Sequence, residues 1–393
     1  MSMFELVEKD TNATVIKVIG VGGAGGNAVE HMIAENVQGV EFICMNTDSQ
    51  ALGKSSASIK LQLGPGLGAG GKPEKARDLA QVDRDRIADT LRGAHMVFIT
   101  AGMGGGTGTG AAPVVAEVAR ELGILTVAVV TKPFEYEGRR MKLAEQGVIE
   151  LAMNVDSLIV ILNEKLMEVL GEDVSMKEAF GEANAVLKNA VGGIAEIINV
   201  PGYVNVDFED VRAVMGEMGK AMMGSATASG VDRARIAAEK AVASPLLEGI
   251  ELSGAKGVLV NITANQSLGM KEVKEVMHTI RNYASEDAGV FFGAVFDDTM
   301  EDNLRVTVVA TGLGTIAKRQ PKPEMTIVPS LRTGTDGGFY DAPVMNGGMG
   351  LDGDGLPPVF QPGRVARNIT VEEMRSNGVN QHDIPAFLRK QAD

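Results

Sequence analysis

Short apolar runs rich in Val and Ile alternate with helix-favouring segments along the first part of the chain. Runs with so few polar positions are typical of strands buried on both faces of a parallel sheet, with helices covering those faces. The sequence therefore predicts an α/β fold with a parallel sheet. The predicted strands cover 14–19, 40–44, 96–100, 124–130 and 157–162, and the predicted helices cover 26–36, about 74–93 and about 112–122.

A long helical pattern follows over 175–199, where apolar residues recur at the helical period and form a wide apolar face. Pro201 and Gly202 end it. A second set of strands and helices comes next and predicts a smaller α+β domain. Its predicted strands cover 218–224, 256–263, 289–296 and 304–311, and its predicted helices cover 231–243 and 270–284.

The character of the chain changes after Gly314, where Pro and Gly become frequent and sustained apolar patterns end. Such a composition buries too little apolar surface to become ordered, so 317–382 is predicted to be a disordered linker. Beyond it, Ile384, Phe387 and Leu388 share one face of a short helix that Asp383 caps. An apolar face at the end of a tether predicts a partner-binding peptide over 383–393.

The bulk composition narrows the class of protein. Of the 393 residues, 45% are hydrophobic and 22% are charged, which is ordinary for a globular protein, and the net charge of −14 argues against nucleic acid as a partner. The single cysteine, Cys44, excludes an intrachain disulfide, and four scattered histidines argue against a His-based metal site. No run approaches the roughly 18 apolar residues of a membrane span, so we expect a cytoplasmic protein with neither a signal peptide nor direct membrane insertion.

The first glycine-rich loop follows the strand 14–19 and opens the next helix. It contains G-x-G-x-x-G at Gly20, Gly22 and Gly25, and small residues of this kind let backbone N–H groups approach phosphate oxygens. On its own, the motif also fits a tight turn or a dinucleotide-binding fold. That fold has an acidic residue after its second strand, and Asp48 lies near there. The position of Asp48 therefore does not settle whether this loop binds a dinucleotide.

The second glycine-rich loop runs from Gly102 to Gly110, again between a strand and a helix. Six glycines in nine positions are expensive in chain entropy, and a plain turn does not need them. Thr107 and Thr109 add hydroxyl donors. Two phosphate cradles at neighbouring strand ends predict one polyphosphate ligand, whereas a simple nicotinamide enzyme has no use for the second.

A third glycine-rich segment, Gly66 to Lys72, has the G-x-x-x-x-G-K spacing of a P-loop. Pro73 follows it, where that motif needs Ser or Thr to hold magnesium, and no clear strand directly precedes it. We therefore reject the P-loop interpretation and predict a loop that closes over the ligand.

Five separated motifs together resemble the FtsZ family of bacterial tubulin-like GTPases. They are GGAGGN over 22–27, NTD over 46–48, GGGTGTG over 104–110, NVDFED over 205–210 and DIPAFLRKQAD over 383–393. The resemblance covers about 12–316 and the last eleven residues. It implies a flexible N-terminus (1–12), a tubulin-like, Rossmann-type GTPase domain (13–174), a long central helix (175–202) and a smaller α+β C-terminal domain that carries the catalytic loop (203–316).

The resemblance implies GTP and GDP as ligands, with Mg²⁺ held through phosphates and water. It assigns Glu137 to the ribose, Phe180 to packing on the base, and Asn163 and Asn184 to the edge that distinguishes guanine from adenine. Without the resemblance, Phe180 fits ordinary core and the two amides fit helix caps or an exposed face. The other implied nucleotide-binding residues are Gly22, Gly23, Ala24, Gly25, Gly26, Asn27, Asn46, Gly104, Gly105, Gly106, Thr107, Gly108, Thr109 and Gly110.

The same resemblance implies that Asn205, Asp207 and Asp210 form a catalytic loop that reaches the γ-phosphate of the next subunit. Carboxylates there orient and polarise the attacking water. From the residues alone, Asp207 and Asp210 also fit a helix start, where the dipole favours acidic side chains. A site split in this way implies a head-to-tail polymer, because a contact between two different faces need not close.

The implied cellular role is a GTP-dependent protofilament of the cell-division ring at mid-cell. The implied partners are further copies of the chain, assembly regulators, and membrane-anchor division proteins such as FtsA and ZipA, which bind through 383–393.

The chain departs from the family pattern at several positions. The segment Glu137 to Met141 is one residue short, so either Arg139 or Arg140 serves as the family's arginine, and we favour Arg140. The segment 63–73 is also short, and Ala185 stands where an acidic residue is frequent. Two other functions stay open: an NAD-type oxidoreductase that uses the first loop, and a filament that binds GTP without hydrolysing it.

Overall fold

The structure, a computed structural model, describes residues 14–171, 174–200, 202, 204–216, 219–244, 254–285 and 288–313. The N-terminal segment 1–12, the linker 317–382 and the peptide 383–393 lie outside these residues, so the predictions for them are not tested here. The predicted domain boundaries likewise stay predictions.

The strands of the described residues form one continuous sheet of ten. They are β1 Ile16–Val21, β2 Glu41–Asn46, β3 Ile59–Gln62, β4 Met96–Gly102, β5 Leu125–Lys132, β6 Ser157–Leu162, β7 Gly219–Ser229, β8 Gly257–Ala264, β9 Gly289–Phe296 and β10 Asn303–Leu313. Their order is β3-β2-β1-β4-β5-β6-β7-β10-β8-β9. Pairing is parallel from β3 through β7, β10 is antiparallel to both of its neighbours, and β8 and β9 are parallel.

Helices cover the sheet. They are α1 Gly22–Ala34, α2 Ser49–Gly53, α3 Pro73–Val82, α4 Arg84–Leu91, α5 Thr107–Glu121, α6 Arg139–Ala152, α7 Asn163–Leu170, α8 Met176–Asn199, α9 Phe208–Met215, α10 Arg233–Val242 and α11 Met270–Arg281. All six residues of β1 are buried, which explains why its sequence is apolar without alternation.

Successive strand residues face two different helix layers. Val18 and Phe98 belong to a core that also contains residues of α1, α8 and α9. Ile19 and Ile99 belong to a second core with α3, α4, α5 and α6. The period of two along each strand therefore separates the two layers.

The long helix α8 joins the two halves of the sheet. It packs on α1 and β5 and also contacts β7, β8, β9 and β10. At its last residue, Asn199 Nδ2 donates to the carbonyls of Thr14, at 3.1 Å, and Gly39, at 2.6 Å. These carbonyls precede β1 and β2, so α8 ends at the amino edge of the parallel strands.

A third core lies between α10, α11 and the strands β8 and β10. Arg233, which is 6% exposed, ties this region together with four side-chain hydrogen bonds. Its guanidinium donates to both carboxylate oxygens of Glu272, at 2.7 and 3.2 Å, to the Asp302 carbonyl at 2.9 Å and to Ser267 Oγ at 3.0 Å. The buried charge is thus paired and hydrogen-bonded, as burial requires.

Several predicted boundaries are wrong, and glycine explains the largest errors. Helix α1 begins at Gly22 rather than 26, and α5 begins at Thr107 rather than about 112. Glycine and threonine have weak helix propensity, so the sequence pattern did not predict the first turns of these two helices, which form because of packing. The predicted helix over about 74–93 is two helices that meet at Asp83. The short elements α2, β3 and α7 and the 14-residue helix α6 were not predicted.

Candidate functional site

Both glycine-rich loops lie at the carboxyl edge of neighbouring parallel strands. β1 ends at Val21 and β4 ends at Gly102, and Val21 is paired with Ala101 in the register. Helix α1 begins at the next residue after β1, and α5 begins after a four-residue loop beyond β4, so their N-termini share one edge and favour an anion there. The strand order also reverses between β1 and β4, and such a switch point is where open α/β sheets bind ligands.

A cleft of about 270 Å³ opens at this edge. It brings together the predicted residues Gly23, Asn46, Gly106 and Thr107. The predicted closing loop also contributes, through Gly68 to Gly71. The remaining lining residues, which sequence reasoning did not assign to the ligand, are Thr47, Asp48 and Ala51.

The glycines of the two loops fall into two groups. Some allow close packing of the backbone: a Cβ at Gly25 would lie 2.3 Å from the Thr100 carbonyl oxygen, and one at Gly108 would lie 2.5 Å from that of Gly102. Others face open space, with no protein atom within 4 Å of an added Cβ: Gly23, Gly26 and Gly105. The open group leaves room for a ligand to approach the backbone.

The two predicted threonines have different surroundings. Thr109 is 3% exposed, and its Oγ1 accepts the Gly104 N–H at 2.9 Å, so this hydroxyl shapes the loop. Thr107 Oγ1 lies 2.7 Å from Thr47 Oγ1 in the cleft. Of the two hydroxyls, that of Thr107 is the one in a position to meet a ligand.

The residues assigned to the ribose and to packing on the base, Glu137 and Phe180, lie beyond the ends of β5 and β6. Glu137 accepts the Phe134 N–H at 3.1 Å and pairs with the Arg140 guanidinium. Phe180 is 45% exposed and meets Phe134 edge to face, with ring centroids 6.0 Å apart. The interpretation of Phe180 as ordinary core is therefore wrong. An exposed second aromatic, Tyr136, stacks on Phe134 at 5.3 Å and was not predicted.

Of the predicted guanine-reading amides, Asn163 is the first residue of α7, and Asn184 lies in the first half of α8. Asn163 directly follows β6 and is 6% exposed, yet its Oδ1 has no hydrogen-bond partner among the described residues. A buried acceptor left without a donor is costly, and a ligand N–H removes that cost. Asn184 is half-buried on α8, one turn beyond Phe180.

The predicted catalytic loop lies elsewhere. Asp207 caps α9, and its Oδ1 accepts the Asp210 N–H at 2.8 Å. Asn205 Oδ1 accepts the Gly202 N–H at 2.7 Å. The neighbouring Phe208 packs against His95, which directly precedes β4. The loop is therefore at the amino edge of the sheet, and the structure does not bring it to the glycine loops of its own chain.

The length of α8 gives the separation between the carboxyl edge and the amino edge of the sheet. Phe180 near its start lies at the carboxyl edge, and Asn199 at its end is bonded at the amino edge. Nineteen residues of helix span about 28 Å at a rise of about 1.5 Å per residue. The acids and the cleft are too far apart for hydrolysis within one copy.

The amino edge also holds a half-buried acid, Asp156, just before β6. Burial raises the pKa of Asp156, although the Thr126 N–H and the charges of Arg120 and Arg212 oppose that rise.

Within the described ranges, no group of three or more His, Cys, Asp or Glu side chains is arranged to hold a metal ion. Over the same residues, none of the helices has the length and apolar composition needed to cross a membrane.

Family models match most of the described chain. The model for the Tubulin/FtsZ family, GTPase domain, matches residues 15–171, and the model for the FtsZ family, C-terminal domain, matches 219–314. Between them they cover both the loops of the cleft and the strands β7 to β10.

Individual relatives agree with the family models. The cell division protein FtsZ of Coxiella burnetii is 53% identical over 99% of both chains, and that of Pseudomonas aeruginosa is 52% identical over 100% of both. A solved structure of an empty FtsZ dimer from M. jannaschii is 41% identical, with a TM-score of 0.73 over 77% of this chain and 88% of that one.

Proposed function

The chain belongs to the Tubulin/FtsZ family of GTPases, and on that premise we propose that it hydrolyses GTP at the contact between copies stacked head to tail. One observation carries the proposal: the cleft lies at the carboxyl edge of the sheet and the acidic loop lies at the amino edge. Stacking along the strand direction brings the acids of one copy to the cleft of the next. The family membership excludes the NAD-type oxidoreductase.

Binding of GTP uses the residues of the carboxyl edge. The phosphates lie against the N-termini of α1 and α5, in the space that Gly23, Gly26 and Gly105 leave open. Phe180 packs on the base, and Asn163 Oδ1 accepts a hydrogen bond from an N–H of guanine. Adenine lacks the N–H at ring position 1 that guanine offers there, so this contact favours GTP over ATP. Magnesium supplies charge neutralisation on the phosphates.

Hydrolysis uses the acids of the neighbouring copy. Asp210 orients the attacking water and polarises it, while Asn205 and Asp207 complete the loop. Asp207 already accepts the Asp210 N–H, so it also fixes the start of α9. Asp210 is therefore the cleaner residue for a test, since its removal leaves the helix cap in place.

The remaining cellular roles follow from the family. Contact between two different faces does not close, so copies extend into a protofilament. We place these protofilaments in the cytoplasm, at the mid-cell division ring, where assembly regulators act on them. The peptide 383–393 binds membrane-anchor division proteins such as FtsA and ZipA.

The direct test measures phosphate release and light scattering with GTP as the protein concentration is varied. We expect negligible release below a threshold concentration and release together with assembly above it. A filament that binds GTP without hydrolysing it instead predicts scattering with no phosphate release. Equal turnover per molecule in dilute and dense solutions contradicts the shared site.

A mixing experiment tests the division of labour. Gly23→Leu fills the cleft and keeps the acidic loop, whereas Asp210→Ala keeps the cleft and loses the acid. Each variant alone is expected to be inactive. Their mixture regains turnover, because a cleft from one copy meets a loop from the other, and continued inactivity of the mixture counts against the proposal.

A further inference from the structure

Thr47 and Thr107 share a hydrogen bond in the cleft, with 2.7 Å between their Oγ1 atoms. Thr47 directly follows β2, and Thr107 is the first residue of α5, which comes after β4. Since β1 lies between β2 and β4, the bond passes over the end of β1 and joins the loops of two strands that are not neighbours.

The bond depends on Gly22, the residue that follows β1. A Cβ at this position would lie 2.9 Å from the Gly108 nitrogen and 3.2 Å from Thr107 Cβ, so a side chain would displace Thr107. Thr47 is itself fixed: it is 1% exposed, and its carbonyl accepts the Gly68 N–H at 2.8 Å. Thr47 therefore holds both the closing loop and the first residue of α5.

The direction of this hydrogen bond decides whether Thr107 offers a ligand its proton or only its lone pairs. Each hydroxyl has one proton and accepts through two lone pairs. When Thr107 donates to Thr47, only lone pairs face the cleft, and these repel an anion. When Thr47 donates to Thr107, the Thr107 proton is free to point into the cleft, and accepting one bond strengthens the bond that it donates.

We propose that Thr47 is a positioning residue for the bound nucleotide: it donates to Thr107 Oγ1 and so directs the Thr107 proton to a phosphate oxygen. An anion at the N-terminus of α5 selects this direction, because a phosphate has only acceptors to offer. The inference rests on the proposed function, since it takes the phosphate of GTP or GDP as the ligand.

The test compares four variants with the wild type by equilibrium binding of GTP and GDP. Thr47→Val keeps the shape and removes the hydroxyl, and Thr47→Ser restores a hydroxyl. Thr107→Val and the double variant Thr47→Val/Thr107→Val complete a double-mutant cycle. Thr126→Val is the matched control, because Thr126 is also fully buried and bonds a carbonyl, that of Ile124 at 2.9 Å, but at the opposite end of the sheet.

We expect Thr47→Val to weaken nucleotide binding about tenfold, the scale of one hydrogen bond to a charged group. Thr47→Ser should bind nearly as the wild type does, and Thr126→Val should bind unchanged. The double variant should be no weaker than Thr107→Val alone, because Thr47 acts only through Thr107. A simple packing role predicts additive losses and no rescue by serine.

Normal nucleotide binding by Thr47→Val, or additive losses in the cycle, overturns the inference while the proposed function stands. A wild-type chain that fails to bind GTP overturns the proposed function itself. If Thr47→Val unfolds below the assay temperature, Thr47→Cys gives the same comparison with a weak donor of similar size. Wild-type affinity of the Cys variant then counts against the inference, and reduced affinity supports it.

Discussion

The ring of Phe208 meets the imidazole of His95 edge to face, with centroids 6.1 Å apart. Phe208 also contacts Arg212, whose Cζ lies 4.9 Å from the ring centroid. His95 is in turn fixed, because its Nδ1 accepts the Val15 N–H at 2.9 Å. These contacts hold the start of α9, and the acids beside it, at the edge of the sheet that faces away from the cleft.

Replacing Asp210 by Ala is expected to lower GTP turnover at least 100-fold while GTP affinity stays within about twofold. In the proposed mechanism the acid completes a neighbour's site, because it lies at the amino edge of the sheet, and α8 spans about 28 Å between that edge and the carboxyl edge with the cleft. Phosphate release above the assembly threshold and equilibrium GTP binding check this. Glu209→Ala is the control, since Glu209 is an exposed neighbour bonded to Arg212. Normal hydrolysis by Asp210→Ala contradicts the catalytic role.

Two glycine substitutions are expected to distinguish a glycine that leaves room for the ligand from a glycine that allows close packing of the backbone. Gly23→Leu places its side chain where no protein atom lies within 4 Å of Cβ, so the protein should stay folded and lose nucleotide binding. Gly25→Ala forces a Cβ to 2.3 Å from the Thr100 carbonyl, and such overpacking costs about 1–3 kcal/mol of unfolding free energy. Denaturant unfolding and nucleotide binding measure both. A folded Gly23→Leu variant that still binds GTP refutes the position assigned to the phosphates.

Asn163→Leu is expected to weaken GTP binding about tenfold, with a much smaller effect on ATP, because one hydrogen bond to guanine is lost. The ligand-free protein should become no less stable, since a buried oxygen without a partner disappears. Competition binding and thermal unfolding give the two readouts. Thr100→Val removes another unpartnered buried oxygen and should leave nucleotide preference unchanged. An unaltered GTP-to-ATP ratio in Asn163→Leu argues against base recognition by this residue.

Arg233→Met is expected to destabilise the region of α10 and α11 by about 2–4 kcal/mol at neutral pH, because Glu272 loses its partner. Hydrogen bonding to Arg233 lowers the pKa of Glu272 from its ordinary value of 4.5, against the opposing effect of burial. The pair therefore contributes fully above that value, and the contribution is lost as the pH falls through the lowered pKa. Unfolding free energies of wild type and variant should converge on acidification, and a difference that stays constant until the wild type itself unfolds in acid disproves the linkage.

The sequence predicted the elements with strong periodicity. The prediction of 157–162 coincides with β6, and that of 175–199 nearly coincides with α8. These segments succeed because buried strands and a wide helical face leave a pattern that local sequence alone displays. The family resemblance is confirmed by the two family models, and it supplied the site residues that no pattern reveals.

The contacts between distant loops could not be predicted in the same way. Thr47 meets Thr107 only because β2 and β4 flank β1, and sheet order is a property of the whole fold. The lone oxygen of Asn163 is equally invisible in sequence, since an asparagine after a strand fits a simple helix cap as well. Burial of the side chain and the lack of a hydrogen-bond partner for its oxygen among the described residues, rather than residue type, distinguish a ligand-binding asparagine from a helix cap.

Under the proposed head-to-tail stacking, the placement of cleft and acids at opposite edges of the sheet gives a row of copies two unlike ends. At one end a loaded cleft meets only solvent, and at the other end the acidic loop faces no nucleotide. Every row therefore leaves one bound GTP uncleaved. This is half of the bound GTP in a row of two copies and a very small fraction of it in a long row. The fraction that escapes cleavage is therefore a direct gauge of how many copies each row contains.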